Sequence, residues 1–206
     1  MSAMAEQVPT GIFGGSFNPI HMGHIGLARD ILRLTHLREV WFLVSPLNPF
    51  KQQAGDLIAD RLRFDMVRRA LAQEPGLVAS DYEFGLPRPS YTWQTLSHLR
   101  EDYPERLFTL IIGADNWLAF DRWAHPDDIL RHHPVIVYPR EGCPIDRASL
   151  PPRVTLVDTG LYPVSSTAVR HRVAHGQSVD GLVPPAIIPM VEQCYAGGAP
   201  QETHKK

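Results

Sequence analysis

The sequence predicts an α/β fold, in which a doubly wound parallel sheet carries helices on both faces. Short segments rich in β-branched and aromatic residues alternate along the chain with segments of helical periodicity. A glycine-rich turn also joins the first strand to the first helix. Strands that alternate with helices pair in parallel, because each crossover helix returns the chain to the same end of the sheet. We expect residues 1–206 to form a single domain with a frayed tail from residue 197.

The elements follow from local pattern and capping residues. The predicted strands are residues 8–13, 40–44, 77–79, 107–112, 135–138 and 154–157. The predicted helices are residues 21 onward, 61–72 behind an Asp60 cap, 91–100 behind a Ser90 cap, a segment from Ser165 to Gly176, and 184–195, which starts with proline.

The turn after the first strand, residues 14–24, reads Gly-Gly-Ser-Phe-Asn-Pro-Ile-His-Met-Gly-His. In an open α/β sheet this turn lies at the carboxyl edge of the strands. Main-chain N–H groups and the positive end of the helix dipole favour an anion there. His21 and His24, three residues apart, then lie on one face of the first helical turn. The pattern predicts a phosphate site that two imidazoles serve.

Three other glycine-loop motifs each fail on a specific residue. A dinucleotide fingerprint needs Gly-x-Gly-x-x-Gly and an acidic residue ending the second strand, whereas this chain has Gly11, Gly14 and Gly15, and that strand ends Val-Ser-Pro. A P-loop needs a Gly-Lys pair, which the sequence lacks. A nucleophile elbow needs glycine two positions after its serine, but Ser16 is followed by Phe-Asn. The remaining alternative is a plain tight turn with solvated histidines.

A second phosphate-binding segment is predicted at residues 164–170, Val-Ser-Ser-Thr-Ala-Val-Arg. Ser165 and Ser166 are good N-cap residues for a helix. Arg170 would lie about one turn inside that helix, where its guanidinium could fork onto β- and γ-phosphate oxygens. Taken in isolation, the segment is better explained as an ordinary capped surface helix.

The two segments together resemble the two signatures of the nucleotidyltransferase superfamily that shares a His-x-Gly-His motif and resembles class I aminoacyl-tRNA synthetases. Within it, the chain resembles nicotinate-mononucleotide adenylyltransferases over nearly its whole length. Residues 48–51 (Asn-Pro-Phe-Lys), 90–96 (Ser-Tyr-Thr-Trp-Gln-Thr-Leu) and 112–115 (Ile-Gly-Ala-Asp) carry this closer resemblance, together with Trp123. It implies a Rossmann-like fold and adenylyl transfer from ATP to nicotinate mononucleotide, giving nicotinic acid adenine dinucleotide and pyrophosphate in NAD biosynthesis.

The same resemblance implies the site residues. The catalytic residues it implies are His21, His24, Lys51 and Arg170. The ATP-binding residues it implies are Gly14, Gly15, Ser16, Phe17, Gly113, Asp115, Ser165, Ser166 and Thr167. The acceptor-binding residues it implies are Asn48, Thr92 and Trp123, with the Trp123 ring stacked on the pyridine. Mg2+ is expected to accompany ATP, held by phosphate and water with no ligand from the protein.

Two residues depart from the family pattern. Phe50 stands where a histidine is common before Lys51, so the cation is kept but no histidine role is expected there. Asn18 stands where aspartate is common, which removes a negative charge near the expected phosphates. Neither change removes a group that the expected chemistry needs.

Three positions keep a structural alternative. Asp115 is either a ligand of a ribose hydroxyl or a helix cap. Trp123 either stacks on the acceptor or packs in the core. His132 and His133 are expected as a solvated loop pair, because no carboxylate or cysteine at ligand spacing supports a metal site.

Composition favours a soluble cytoplasmic enzyme. Of the residues, 44% are hydrophobic and 20% charged, and the net charge of −2 argues against a nucleic-acid partner. The sequence has no apolar run near the length of a membrane span, and its start lacks the features of a signal peptide, so no membrane partner is expected. Cys143 and Cys194 are expected as inert thiols. The oligomeric state is left open, a homo-oligomer included.

Three functions stay under consideration. The leading one is adenylyl transfer to nicotinate mononucleotide. A second keeps the chemistry but changes the acceptor to nicotinamide mononucleotide or phosphopantetheine. The third is a nucleotide-binding regulator without turnover. The histidine pair with Lys51 and Arg170 favours an enzyme, because a sensor does not need contacts to a transition state.

Overall fold

The computed structural model, which describes residues 7–46 and 57–197, is organised around one six-stranded parallel sheet. Its strands are β1 (Val8–Gly15), β2 (Glu39–Val44), β3 (Leu77–Ser80), β4 (Arg106–Gly113), β5 (Val135–Tyr138) and β6 (Val154–Leu156). They are ordered β3-β2-β1-β4-β5-β6, and every pairing is parallel. The winding reverses between β1 and β4, so the carboxyl ends of these two strands border the crevice where such sheets bind ligands. The predicted fold class is confirmed, and each strand ends within two residues of its expected position.

Helices cover both faces of the sheet. They are α1 (Met22–Leu34), α2 (Asp60–Ala70), α3 (Thr92–Asp102), α4 (Ala114–Trp117), α5 (Pro126–His132), α6 (Ser166–Ala174) and α7 (Ile188–Tyr195). Phe13 and Ile12 are neighbours on β1 that point into two different cores, one packed by α1, α2, α6 and α7 and the other by α3 and α5. Within the described ranges, no helix has the length and apolar character that crossing a bilayer requires.

Two predicted helix caps are wrong for the same physical reason. Asp60 is the first residue of α2 rather than its cap, and its carboxylate pairs with Arg63 at 2.7 Å and Arg88 at 2.9 Å. Ser90 lies one residue before the true N-cap of α3, and its hydroxyl donates to the buried Glu83 at 3.1 Å. Arg63, three residues further along the same helix, and the more distant Arg88 and Glu83 bind the polar side chains that the local pattern assigned to helix ends.

The prediction of a solvated histidine pair before β5 is also wrong. His132 is exposed and ends α5, a helix that the sequence analysis did not identify, whereas His133 is buried. The Nδ1–H of His133 donates to the carbonyl of Phe108, at 3.2 Å, so the ring is satisfied inside the core. No group of three or more potential metal ligands occurs in the part of the chain that the structure describes.

The C-terminal segment reaches back to the first turn of the fold. A 3₁₀ turn at Pro185–Ile187 precedes α7, in place of one continuous helix over residues 184–195. Tyr195, at the end of α7, is buried, and its hydroxyl donates to Asn18 Oδ1 at 2.6 Å. The predicted frayed tail lies, from residue 198 onward, outside the described residues.

Candidate active site

Two stacked imidazoles begin α1. His21 is the N-cap residue and His24 the third residue of the helix, and their ring centroids are 3.6 Å apart with the planes 21° from parallel. The main-chain N–H of His21 donates to Nδ1 of His24, at 3.3 Å. Because Nδ1 accepts, the neutral His24 ring carries its proton on Nε2, which makes that nitrogen the donor toward a ligand.

His21 is held neutral by its surroundings. The side chain is only 6% exposed. Burial and, second, the nearby positive charge of Arg140 lower the pKa of His21 to about 4. Its Nδ1 is buried and makes no hydrogen bond within the described residues. An anion bound beside this ring would stabilise its protonated form.

The turn from β1 to α1 presents its backbone to the crevice. Gly14 is exposed, and a Cβ placed there would meet no atom within 4 Å, so a ligand can approach the chain closely. Phe17 adopts a left-handed backbone with φ of 44°, which is strained for a residue with a bulky side chain. Its ring is buried against Phe13 and Phe42, with centroids 5.8 Å and 5.4 Å away. Any contact between Phe17 and ATP would therefore come from its main chain.

The second predicted phosphate segment docks onto this turn. Ser165 caps α6 by accepting a main-chain N–H of its first turn, as the sequence predicts. The hydroxyl of Ser166 donates to the carbonyl of Pro19 at 2.8 Å. Nη1 of Arg170 donates to the carbonyl of Asn18, also at 2.8 Å. The two segments, far apart in sequence, thus meet at the carboxyl edge of β1.

The chain that leads into α6 is anchored on α1. The hydroxyl of Tyr162 donates to Asp30 at 2.6 Å. Gly26 faces the Tyr162 ring so closely that a Cβ there would lie 2.9 Å from its Cζ. Thr167 is exposed in the first turn of α6, with its Oγ1 3.5 Å from Nη2 of Arg170. The anchor fixes where α6 begins relative to the histidines.

Arg140 is a cation of the site that the sequence analysis missed. It follows β5, and its Nε lies 3.4 Å from Oδ1 of Asp115. Gly113 ends β4 beside it, where a Cβ would lie 3.1 Å from Cγ of Arg140 and 3.2 Å from the Tyr138 ring. Its position at the carboxyl end of a strand next to β4 was the available signal. The helix-cap alternative for Asp115 is not what the structure shows, because Gly113 is the N-cap residue of α4.

The two acceptor segments lie on the same side of the sheet. Thr92 is the first residue of α3, and Trp123 is half-buried against Phe120 with a centroid distance of 5.2 Å. The rings of Trp93 and His125 are 4.4 Å apart and join α3 to the segment after Trp123. Trp123 therefore packs on the core with one part of its ring and keeps another part accessible.

Glu83 was not identified from the sequence, although it links the end of β2 to the start of α3. This carboxylate is 8% exposed and accepts hydroxyl groups from Ser45 at 2.6 Å, Ser90 at 3.1 Å and Thr95 at 2.9 Å. Those hydroxyls come from the end of β2 and from the start of α3. A single glutamate outside any periodic segment gave no sequence signal, since only the fold brings its three donors together.

Two predicted site residues cannot be placed. Asn48 and Lys51 fall in residues 47–56, outside the described residues. Their roles stay predictions.

The chain resembles known proteins in family, in sequence and in structure. A cytidylyltransferase-like family model matches residues 12–172. Probable nicotinate-nucleotide adenylyltransferases of Bacteroides fragilis and Bacteroides thetaiotaomicron are 47% and 44% identical, over 89% and 90% of this chain and 91% of each relative. In structure, the chain resembles Plasmodium falciparum nicotinic acid mononucleotide adenylyltransferase complexed with NaAD, with a TM-score of 0.73 at 18% identity over 90% of this chain and 93% of that one.

Proposed function

Since the chain belongs to the nicotinate-nucleotide adenylyltransferases of the cytidylyltransferase-like family, we propose that its turn from β1 to α1 binds the phosphates of ATP while the adenylyl group is transferred to nicotinate mononucleotide. The enzyme moves the adenylyl group of ATP to that acceptor and releases pyrophosphate. The observation that carries the site assignment is the docking of Ser166 and Arg170 onto the turn that leads to His21 and His24.

The reaction needs positioning and charge stabilisation more than a base. The acceptor phosphate has a second pKa of about 6, so it is mostly dianionic near neutral pH and can attack unaided. In-line attack on the α-phosphorus forms one P–O bond and breaks the bond to the departing pyrophosphate. Negative charge grows on the α-phosphate oxygens and on the leaving group, and preorganised donors around those oxygens lower the barrier.

The residues at the edge of β1 fit that task. Nε2–H of His24 is a donor that can meet an α-phosphate oxygen. Binding of the triphosphate would favour the protonated form of His21, which the free protein suppresses. Arg170 and Arg140 border the crevice from α6 and from β5 and can meet the charge of the phosphates from two sides.

Magnesium enters this scheme as part of the substrate MgATP. The described residues hold no cluster of three or more potential metal ligands, and imidazoles and guanidinium groups border the turn. Such groups complement phosphate oxygens and not a bare cation, which fits a metal held by phosphate and water.

Pyrophosphate release from purified protein, ATP, Mg2+ and a panel of acceptors tests the function. We expect fastest turnover with nicotinate mononucleotide, slower turnover with the amide-bearing mononucleotide and none with phosphopantetheine. Excess EDTA should abolish release and added Mg2+ should restore it. No release with any acceptor would contradict the enzymatic assignment, and a preference for the amide would overturn the acceptor alone.

Trp123→Ala tests the acceptor site. If the accessible part of the ring stacks on the pyridine, the substitution should raise KM for the mononucleotide by about tenfold, with a smaller effect on KM for ATP, because base–aromatic stacking is worth about 1–3 kcal/mol. Steady-state kinetics with each substrate varied in turn measures both constants.

Trp117→Ala is the matched control. Trp117 packs on the same Phe120 ring as Trp123, with centroids 5.1 Å apart, and has no proposed contact with substrate. Equal changes in KM for nicotinate mononucleotide in Trp123→Ala and Trp117→Ala would show that Trp123 acts through core packing.

A further inference from the structure

A buried guanidinium lies behind the turn from β1 to α1, which we call the phosphate turn. Arg63, in the first turn of α2, is fully buried. Its Nη1 donates to the carbonyls of Ser16 and of Ser45, the latter at 2.9 Å, and its Nε donates to the carbonyl of Ile58 at 3.1 Å. Nη2 pairs with Asp60 at 2.7 Å, which balances the charge.

The three carbonyls belong to three separate segments of the chain. Ser16 is in the turn from β1 to α1, Ser45 directly follows β2, and Ile58 comes just before α2. A planar guanidinium has five N–H donors in a fixed fork, whereas a lysine ammonium is a point charge on a flexible stem. Only the fork can hold three carbonyls and a carboxylate from one buried position.

Tyr195 holds the same turn from another side. Its hydroxyl donates to Oδ1 of Asn18 at 2.6 Å, and the main-chain N–H of Ile58 donates to that oxygen at 3.4 Å. Ile58 therefore links the two supports, with its carbonyl on Arg63 and its N–H on Asn18. The carbonyl of Asn18 in turn accepts Arg170.

These contacts place Arg63 and Tyr195 immediately behind the residues that would meet ATP. Ser16 and Asn18 flank Phe17, the residue with the strained left-handed backbone. A strained conformation persists only where its surroundings fix it. Here the flanking residues are fixed by Arg63 on one side and by Tyr195 and Arg170 on the other.

We infer that Arg63 and Tyr195 are positioning residues for adenylyl transfer, which set the geometry of the phosphate turn without contacting substrate. The inference rests on the proposed ATP site. A small displacement of preorganised donors is costly in catalysis, so weakening either support should reduce ATP binding and turnover even when the protein stays folded.

Tyr195→Phe and Arg63→Lys test the two supports. Tyr195→Phe removes one hydroxyl and keeps the ring in the core, and Arg63→Lys keeps the charge but loses the fork. Tyr82→Phe is the control for the first, since it removes a hydroxyl that donates to Asp102 at the same 2.6 Å. Arg68→Lys is the control for the second, because Arg68 lies on the same helix but is exposed and pairs with Asp65.

For each protein, kcat, both KM values and the calorimetric Kd for MgATP are measured well below the melting temperature. We expect Kd and KM for ATP to rise by about threefold to tenfold in Tyr195→Phe and by about tenfold or more in Arg63→Lys, with a lower kcat. KM for nicotinate mononucleotide should stay near the wild-type value in Tyr195→Phe, and all the constants of the two control variants should stay near the wild-type values. A lower folded fraction alone would reduce kcat and leave both KM values unchanged.

Each outcome decides the inference. The inference is overturned if KM and Kd for ATP keep their wild-type values in Tyr195→Phe and in folded Arg63→Lys. If Arg63→Lys does not fold, wild-type values of KM and Kd in Tyr195→Phe alone overturn it. If the wild-type protein binds MgATP but releases no pyrophosphate, the proposed function fails, while the Kd values still test the positioning role.

Discussion

His24→Ala should lower kcat for pyrophosphate release by about 10²- to 10³-fold, the usual cost of removing one preorganised donor to a developing oxyanion. In the proposed site that donor is Nε2, since Nδ1 accepts the main-chain N–H of His21 at 3.3 Å. Stacking on His21 and edge contacts with Phe13 and Phe17 fix the plane of the ring, so the donor is oriented before ATP arrives.

Folding should survive this substitution. His24 is only half-buried, and the hydrogen bond that it accepts from the main-chain N–H of His21 is worth about 1 kcal/mol. Single-turnover kinetics and thermal unfolding of His24→Ala are compared with those of His36→Ala, which removes an exposed imidazole from the segment after α1. Normal turnover in His24→Ala would remove His24 from the mechanism.

Acid pH should destabilise the free protein strongly through two buried histidines. Burial, assisted by Arg140, lowers the pKa of His21 to about 4. Burial also lowers the pKa of His133 to about 4, against the opposing hydrogen bond to the Phe108 carbonyl and with smaller contributions from Arg100, His132 and Arg153. Above pH 6.5 both rings are neutral in the folded and in the unfolded chain, and their contribution to stability is complete.

As the pH falls from 6.5 to 4, the two histidines bind protons in the unfolded chain but not in the folded protein, so the free energy of unfolding decreases. Each histidine should account for about 2 kcal/mol between pH 7 and pH 4.5 and about 3 kcal/mol in all. Below pH 4 both states are protonated and this loss levels off.

Denaturant unfolding at pH 7 and at pH 4.5 measures the effect. His133→Gln keeps a donor for the Phe108 carbonyl but cannot titrate, so its stability should fall by about 2 kcal/mol less than that of the wild type over this range. His98→Gln, which changes an exposed imidazole on α3, should behave as the wild type. An unchanged acid response in His133→Gln would show that His133 does not resist protonation.

The sequence predicted the elements whose signals are local. Alternating strands and helices predicted the parallel pairing of the sheet, and Ser165 caps α6 as expected, because strand formation and capping depend on neighbouring residues. The predicted caps Asp60 and Ser90 were wrong because Arg63 on the same helix, together with Arg88 and Glu83, which the fold brings close, binds these side chains.

By itself, the sequence determined the fold class, the turn that carries two histidines and, through the resemblance, the reaction. Only the tertiary structure decided how that turn is held. Arg63, Arg140 and Tyr195 carry no local pattern, since their partners are carbonyls, rings and carboxylates from distant segments. Capping and periodicity act within a few residues, whereas the support of a catalytic turn depends on which buried polar groups the folded chain brings together.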